Sequence, residues 1–135
     1  GRGHGMPSEN QHLIQARHNE DFVQYLINAI RFNDWVATGI FYAAVHYVEA
    51  AFDARLNGFH TFSHSVREYN LIRVLPDPRS RLQYRRLKSA SMLARYLAGT
   101  AHFGAPYAVS SFFYPARLQQ LRESLNAVKQ TFGYP

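Results

Sequence analysis

Residues 33–57, closed by Gly58, constrain this chain more than any other stretch: NDWVATGIFYAAVHYVEAAFDARLNG. Asn33 is a suitable N-cap, Asn57-Gly58 a suitable stop, and no proline interrupts the roughly six turns between them. At 100° per residue, Ile40, Phe41, Ala43, Ala44, Val45, Tyr47, Val48, Ala50, Ala51 and Phe52 cover most of the circumference. A helix apolar nearly all round needs neighbours on several sides. Its one polar strip is Tyr42, His46, Glu49 and Asp53, at spacings of four, three and four. A single adjoining surface would meet all four side chains.

The rest of the chain supplies the neighbours. Ser8 can cap a first helix over 8–32, with Leu13, Ala16, Phe22, Leu26, Ala29 and Ile30 on its apolar face. Its junction with the central helix is short enough to favour an antiparallel pair. After a connector at 59–62, Ser63 or Ser65 starts a third helix. Ser65-Val66-Arg67-Glu68 fits a capping box, and Val66, Tyr69, Leu71, Ile72 and Val74 are available for burial. Pro76-Asp77-Pro78 ends that helix and caps a fourth, which runs to about Ala98 with Tyr84, Leu87, Ser91, Ala94 and Ala98 as its buried stripe. Residues 99–114 break the helical period with two glycines, a proline and several aromatic rings, so a long aromatic loop is expected before the last helix. Pro115 opens that helix, and Leu118, Leu121, Leu125, Val128 and Phe132 share one face to its end. No repeat or alternating strand pattern occurs. The expectation is an all-α, up-and-down bundle of about five helices.

At 135 residues the chain suits one domain, taken as 6–135. Gly1-Arg2-Gly3-His4-Gly5 reads as a cloning remnant ahead of Met6, which removes His4 from site reasoning. There is no cysteine, which excludes a disulfide scaffold, thiolate metal sites and a cysteine nucleophile. His46 and Glu49 interrupt the longest apolar run below the roughly 18 residues of a membrane span. No secretory signal is evident, and a cytoplasmic protein is expected.

Charge is unevenly placed within the net +6. Residues 78–122 hold Arg79, Arg81, Arg85, Arg86, Lys88, Arg95, Arg117 and Arg122 without an acid. Such a block attracts phosphates, with an affinity that falls as salt rises. Arg81, Arg85 and Lys88 project together from the fourth helix and are the expected phosphate contacts. A solvated face or an anionic partner protein is the alternative.

The run Asp34-Trp35, Phe41-Tyr42-Ala43-Ala44-Val45-His46 and Glu49-Ala50 resembles the second helix of small HEPN-type proteins. His60-x-x-Ser63-His64-x-x-Arg67 follows, and then Tyr84-x-x-Leu87-x-x-x-Ser91-x-x-Ala94-Arg95-Tyr96. The ordered series is similar to uncharacterised bacterial HEPN-like domains over roughly residues 10–130. The resemblance implies a helical bundle, often a homodimer. Many relatives are metal-independent ribonucleases of toxin and defence systems, with an arginine followed by a histidine after four to six residues. Others bind nucleotides or have lost activity. Arg55…His60 and Arg95…His102 have the spacing, but thirteen arginines and seven histidines give about two such matches by chance. Leu56 and Tyr96 also replace the polar residue that usually follows the arginine.

Two function classes therefore stand. The first is a domain that contacts RNA or a nucleotide and cleaves RNA without metal. His64 or His102 would act as acid or base, and Arg67 and Arg95 would clamp phosphate. The second is a non-catalytic dimeric interaction module of a toxin–antitoxin or defence-type system, with a partner protein encoded nearby. Tyr42, His46, Glu49, Asp53 and His60 fit either a ligand-facing cleft or a buried polar network. A metal enzyme using His46, His60 and His64 ranks below both, so no metal ion or cofactor is expected.

Overall fold

The computed structural model describes residues 7–29, 31–96 and 111–135. Among these residues the chain is all-helical, with five α-helices and no strand. They are α1 (Glu9–Ile27), α2 (Asn33–Arg55), α3 (His64–Asn70), α4 (Pro78–Tyr96) and α5 (Pro115–Phe132), with a 3₁₀ turn at Leu71–Arg73. None is long and apolar enough to cross a membrane.

The central helix of the sequence is the central helix of the fold. Sixteen of the 23 residues of α2 are buried, and α1, α4 and α5 pack around it. Phe41, Tyr47 and Phe52 are completely enclosed, and each such side chain contributes about 1.5–3 kcal/mol through burial. Contacts of residue 9 with 53 and 12 with 46 set α1 antiparallel to α2. Ser80–Thr131 and Gln83–Ser124 hydrogen bonds set α4 antiparallel to α5.

The helix ends show local chemistry at work. Ser8 accepts from the Gln11 amide while the Gln11 side chain accepts from the Ser8 amide, a complete capping box. Asn33 does not cap α2; Phe32 occupies that position, and the Asn33 side chain donates to the Phe113 carbonyl at 2.9 Å, tying α2 to the entry of α5. At the other end Asn57 and Gly58 both adopt positive φ, 54° and 84°, and the Gly58 amide reaches back to the Asp53 carbonyl at 2.9 Å. This left-handed closure turns the connector sharply back along α2. Ser63, rather than Ser65, caps α3, and Glu68 turns instead to Lys88 and Arg85. Pro78 does open α4 and Pro115 opens α5, with Gly133 at φ 76° after it.

Helix α3 departs from the expectation in its orientation. Val66, Tyr69 and Ile72 point outward, Tyr69 with 85% of its surface exposed, while Arg67, Leu71 and Val74 face the bundle. Phe22 is likewise half-exposed rather than core, whereas Ala16 and Val23 carry the buried face of α1. The expected aromatic loop falls mostly on residues outside those described. Of its described part, Phe113 is buried and packs edge-on against Phe112.

α1 and α2 approach closely at Gly39, where an added Cβ would lie 2.8 Å from Val23 Cγ2. Val23 has little rotamer freedom in a helix. Gly39→Ala is expected to lower stability by about 1 kcal/mol, overpacking outweighing the gain in helix propensity. A urea midpoint that rose in this variant would contradict the close approach.

Candidate functional site

The polar strip of α2 is the spine of a buried network. Glu49 is 3% exposed and Asp53 2% exposed, so their carboxylates need partners. The Arg67 Nε donates to Glu49 Oε1 at 2.9 Å, and both side chains are almost wholly enclosed. Thr61, delivered by the connector, donates its amide to Glu49 Oε2 at 3.2 Å and its hydroxyl to Oε1. Asp53 accepts from the Glu9 amide at 2.7 Å, at the first turn of α1, and pairs with His60 Nε2 at 3.1 Å. Tyr134 donates to the Glu9 carboxylate at 2.8 Å, which brings the C-terminal end into the same network.

Three histidines crowd this strip. His12 Nδ1 and His46 Nδ1 lie 3.0 Å apart, and the His12 ring centre is 5.7 Å from that of His60. Burial, reinforced by His46, pushes His12 down to about 4, against the opposing pull of Glu49. His46 is lowered by burial and then by Arg67. His64 is lowered by burial, then by Arg67, Arg95 and Lys88. These three imidazoles are neutral near pH 7.

Hydrogen bonding assigns the role of His64 more closely. Arg67 Nη1 donates to His64 Nδ1 at 3.0 Å, so the neutral ring carries its proton on Nε2 and is a donor there. Arg67 is itself committed to Glu49 and only 6% exposed. Neither is placed to act as the base or phosphate clamp expected from the sequence. His102 lies outside the described residues.

Arg95 is held by neutral groups. Its Nε donates to Ser91 Oγ at 2.8 Å and its Nη1 to Tyr42 Oη at 2.6 Å, with the guanidinium 5.1 and 4.7 Å from the Tyr42 and Tyr96 ring centres. Among the described residues no carboxylate pairs with it. Of the expected phosphate contacts on α4, Arg85 and Lys88 hold Glu68, whereas Arg81 donates to the Leu75 and Pro76 carbonyls, both at 2.8 Å, and like Arg95 makes no ion pair among the described residues. Arg55 points to the end of α5, donating to the Phe132 carbonyl at 2.8 Å, while His60 turns to Asp53.

Arg95 stands at a groove of about 400 Å³ between α1, α2 and α4, bordered by Phe22, Trp35, Tyr42, His46 and Asn19. Trp35 is 54% exposed and Phe22 47%. A larger hollow of about 690 Å³ between α4 and α5 is lined by Gln83, Arg86, Glu123 and Ser124. It offers one cation beside one acid and no aromatic wall.

Sequence reasoning passed over His12, Thr61 and Glu9. The pattern held one usable signal for His12: it lies four residues before Ala16 and eleven before Val23, on the buried face. Thr61 and the Glu9 amide carried none, because their roles depend on the path of the connector and the depth of α1. Comparison with protein-family models, with curated proteins and with solved structures finds no match in any of the three.

The Glu49–Arg67 pair permits a direct test. Arg67→Met leaves a buried carboxylate without its cation, and a loss of about 3–5 kcal/mol is expected in denaturant titration. The double variant with Glu49→Gln should recover more than half of it. A single-variant loss below about 1 kcal/mol would mean that water already reaches the pair.

Proposed function

We propose that this helical domain binds single-stranded RNA along the groove between α1, α2 and α4, Arg95 taking a phosphate and Trp35 and Phe22 taking a base. The observation that carries the reading is Arg95. Its partners among the described residues are neutral, and it lies beside aromatic rings with exposed faces. A cation next to stacking surfaces is the chemistry by which proteins hold single strands. The HEPN-like resemblance belongs to the same proposal and agrees with RNA contact.

Binding without cleavage is the form of the reading favoured by His64. A base needs an open lone pair, and the Arg67 hydrogen bond occupies the one on Nδ1. What His64 presents is a donor suited to an anion.

Trp35 is the single tryptophan, so its emission reports directly on the groove. A short labelled RNA should bind at low salt, quench Trp35 and dissociate as salt rises. Arg95→Ala should weaken it about tenfold, equivalent to about 1.4 kcal/mol. No binding at low salt rejects the proposal. Cleavage in chelator that disappears in His64→Ala would replace it with the ribonuclease reading.

The outward face of α3 favours a second reading, self-association. Phe62, Val66, Tyr69 and Ile72 form an exposed apolar stripe beside the buried Arg67, a surface suited to a second copy of the chain. Light scattering during size-exclusion chromatography should give a dimer that Val66→Glu with Tyr69→Lys converts to monomer. A monomeric unmodified protein at high concentration would exclude this interface.

A further inference from the structure

The geometry points to a binding site for one divalent transition-metal ion formed by His12, Glu49 and His60. A ring nitrogen of each histidine and a carboxylate oxygen of Glu49 all lie within 4.8 Å of one another. Three such ligands come from three segments, α1, α2 and the connector. Ligands around a tetrahedral zinc ion are separated by about 3.4 Å, so small side-chain rotations complete the approach.

A second observation singles out the same place. His12 is 8% exposed, and its Nε2 has no hydrogen-bond partner. A buried ring nitrogen left unpaired is costly in any protonation state, and a cation is one way to satisfy it. The surrounding bonds also prepare the lone pairs. If His12 Nδ1–H donates to His46 Nδ1, the His12 Nε2 is left as an acceptor. His60 Nε2 pairs with Asp53 Oδ1, which leaves its Nδ1 unprotonated in the neutral ring. A carboxylate behind a ligating imidazole is the usual support of such sites.

Two imidazoles and a carboxylate suit zinc, cobalt or nickel better than calcium or magnesium. The ion would fasten the start of α1 to α2 and the connector. The site adjoins the RNA groove through His46, which borders the groove and meets His12, but Arg95 is no part of it, and Arg95→Ala should leave it intact.

The test uses the full chain after chelator treatment, titrated with Zn²⁺ by calorimetry and with Co²⁺ by visible absorption. One ion per chain, a tetrahedral cobalt spectrum and a higher unfolding temperature are expected. His12→Ala and His60→Asn should each weaken zinc at least about tenfold, while the exposed His18→Ala should not. Asp53→Asn should weaken it about tenfold through His60. Circular dichroism identifies any variant that has unfolded; His60→Asn retains a side chain able to meet Asp53. Absence of saturable one-ion binding overturns the site. So does unchanged affinity in folded His12→Ala with His60→Asn, which would place the ion elsewhere.

Discussion

Burial of the Glu49 carboxylate is the constraint on which the surrounding structure depends. A glutamate in the middle of an otherwise apolar helix must lose its water or keep the bundle open. Here it loses its water. The chain then brings one guanidinium, one hydroxyl and one amide to it from a single segment, residues 61–67. That demand fixes the path of the connector and the rotation of α3. It also places His60 and His64 on opposite sides of the acid. His60 turns to Asp53 and His64 rests against Arg67 beside Phe41 and Tyr42.

Ion pairs set several cations of the protein apart from Arg95. Arg67, Arg85 and Lys88 spend their charge on Glu49 and Glu68, and so serve the architecture. Lys129 does likewise with Glu20, whose carboxylate also takes the Tyr47 hydroxyl. Arg95 is held by a hydroxyl and two phenols, which position it without neutralising it. A sequence with eight cations and no acid over residues 78–122 suggests a uniform basic surface. In the fold three of the eight, Arg79, Arg85 and Lys88, pair with acids, Asp77 and Glu68.

Much of the bundle was legible because its signals are local. Proline at the starts of α4 and α5, glycine after α2 and α5, and the all-round apolarity of α2 each act within a few residues. The polar strip could also be read, since Tyr42, His46, Glu49 and Asp53 share one line on any α-helix. What could not be read was which way α3 turns. Periodicity separates Val66, Tyr69 and Ile72 from Arg67, Leu71 and Val74 but does not say which set faces inward. Transfer energies favour burying the first set; the buried glutamate on another helix selects the second. His12 was hidden for a related reason. Nothing near it in the chain announces that Glu49 and His60 will lie beside it.

The seven-residue length of α3 has its own consequence. A helix of two turns cannot sustain itself in water, and most of the apolar side chains of this one face outward. Its helical state must be borrowed from the docking of Arg67 and of the residues that follow it. Formation of α3 thus depends on the Glu49 carboxylate of α2, which receives the guanidinium. A segment of this kind couples the shape of the outer surface to the protonation and occupancy of the interior.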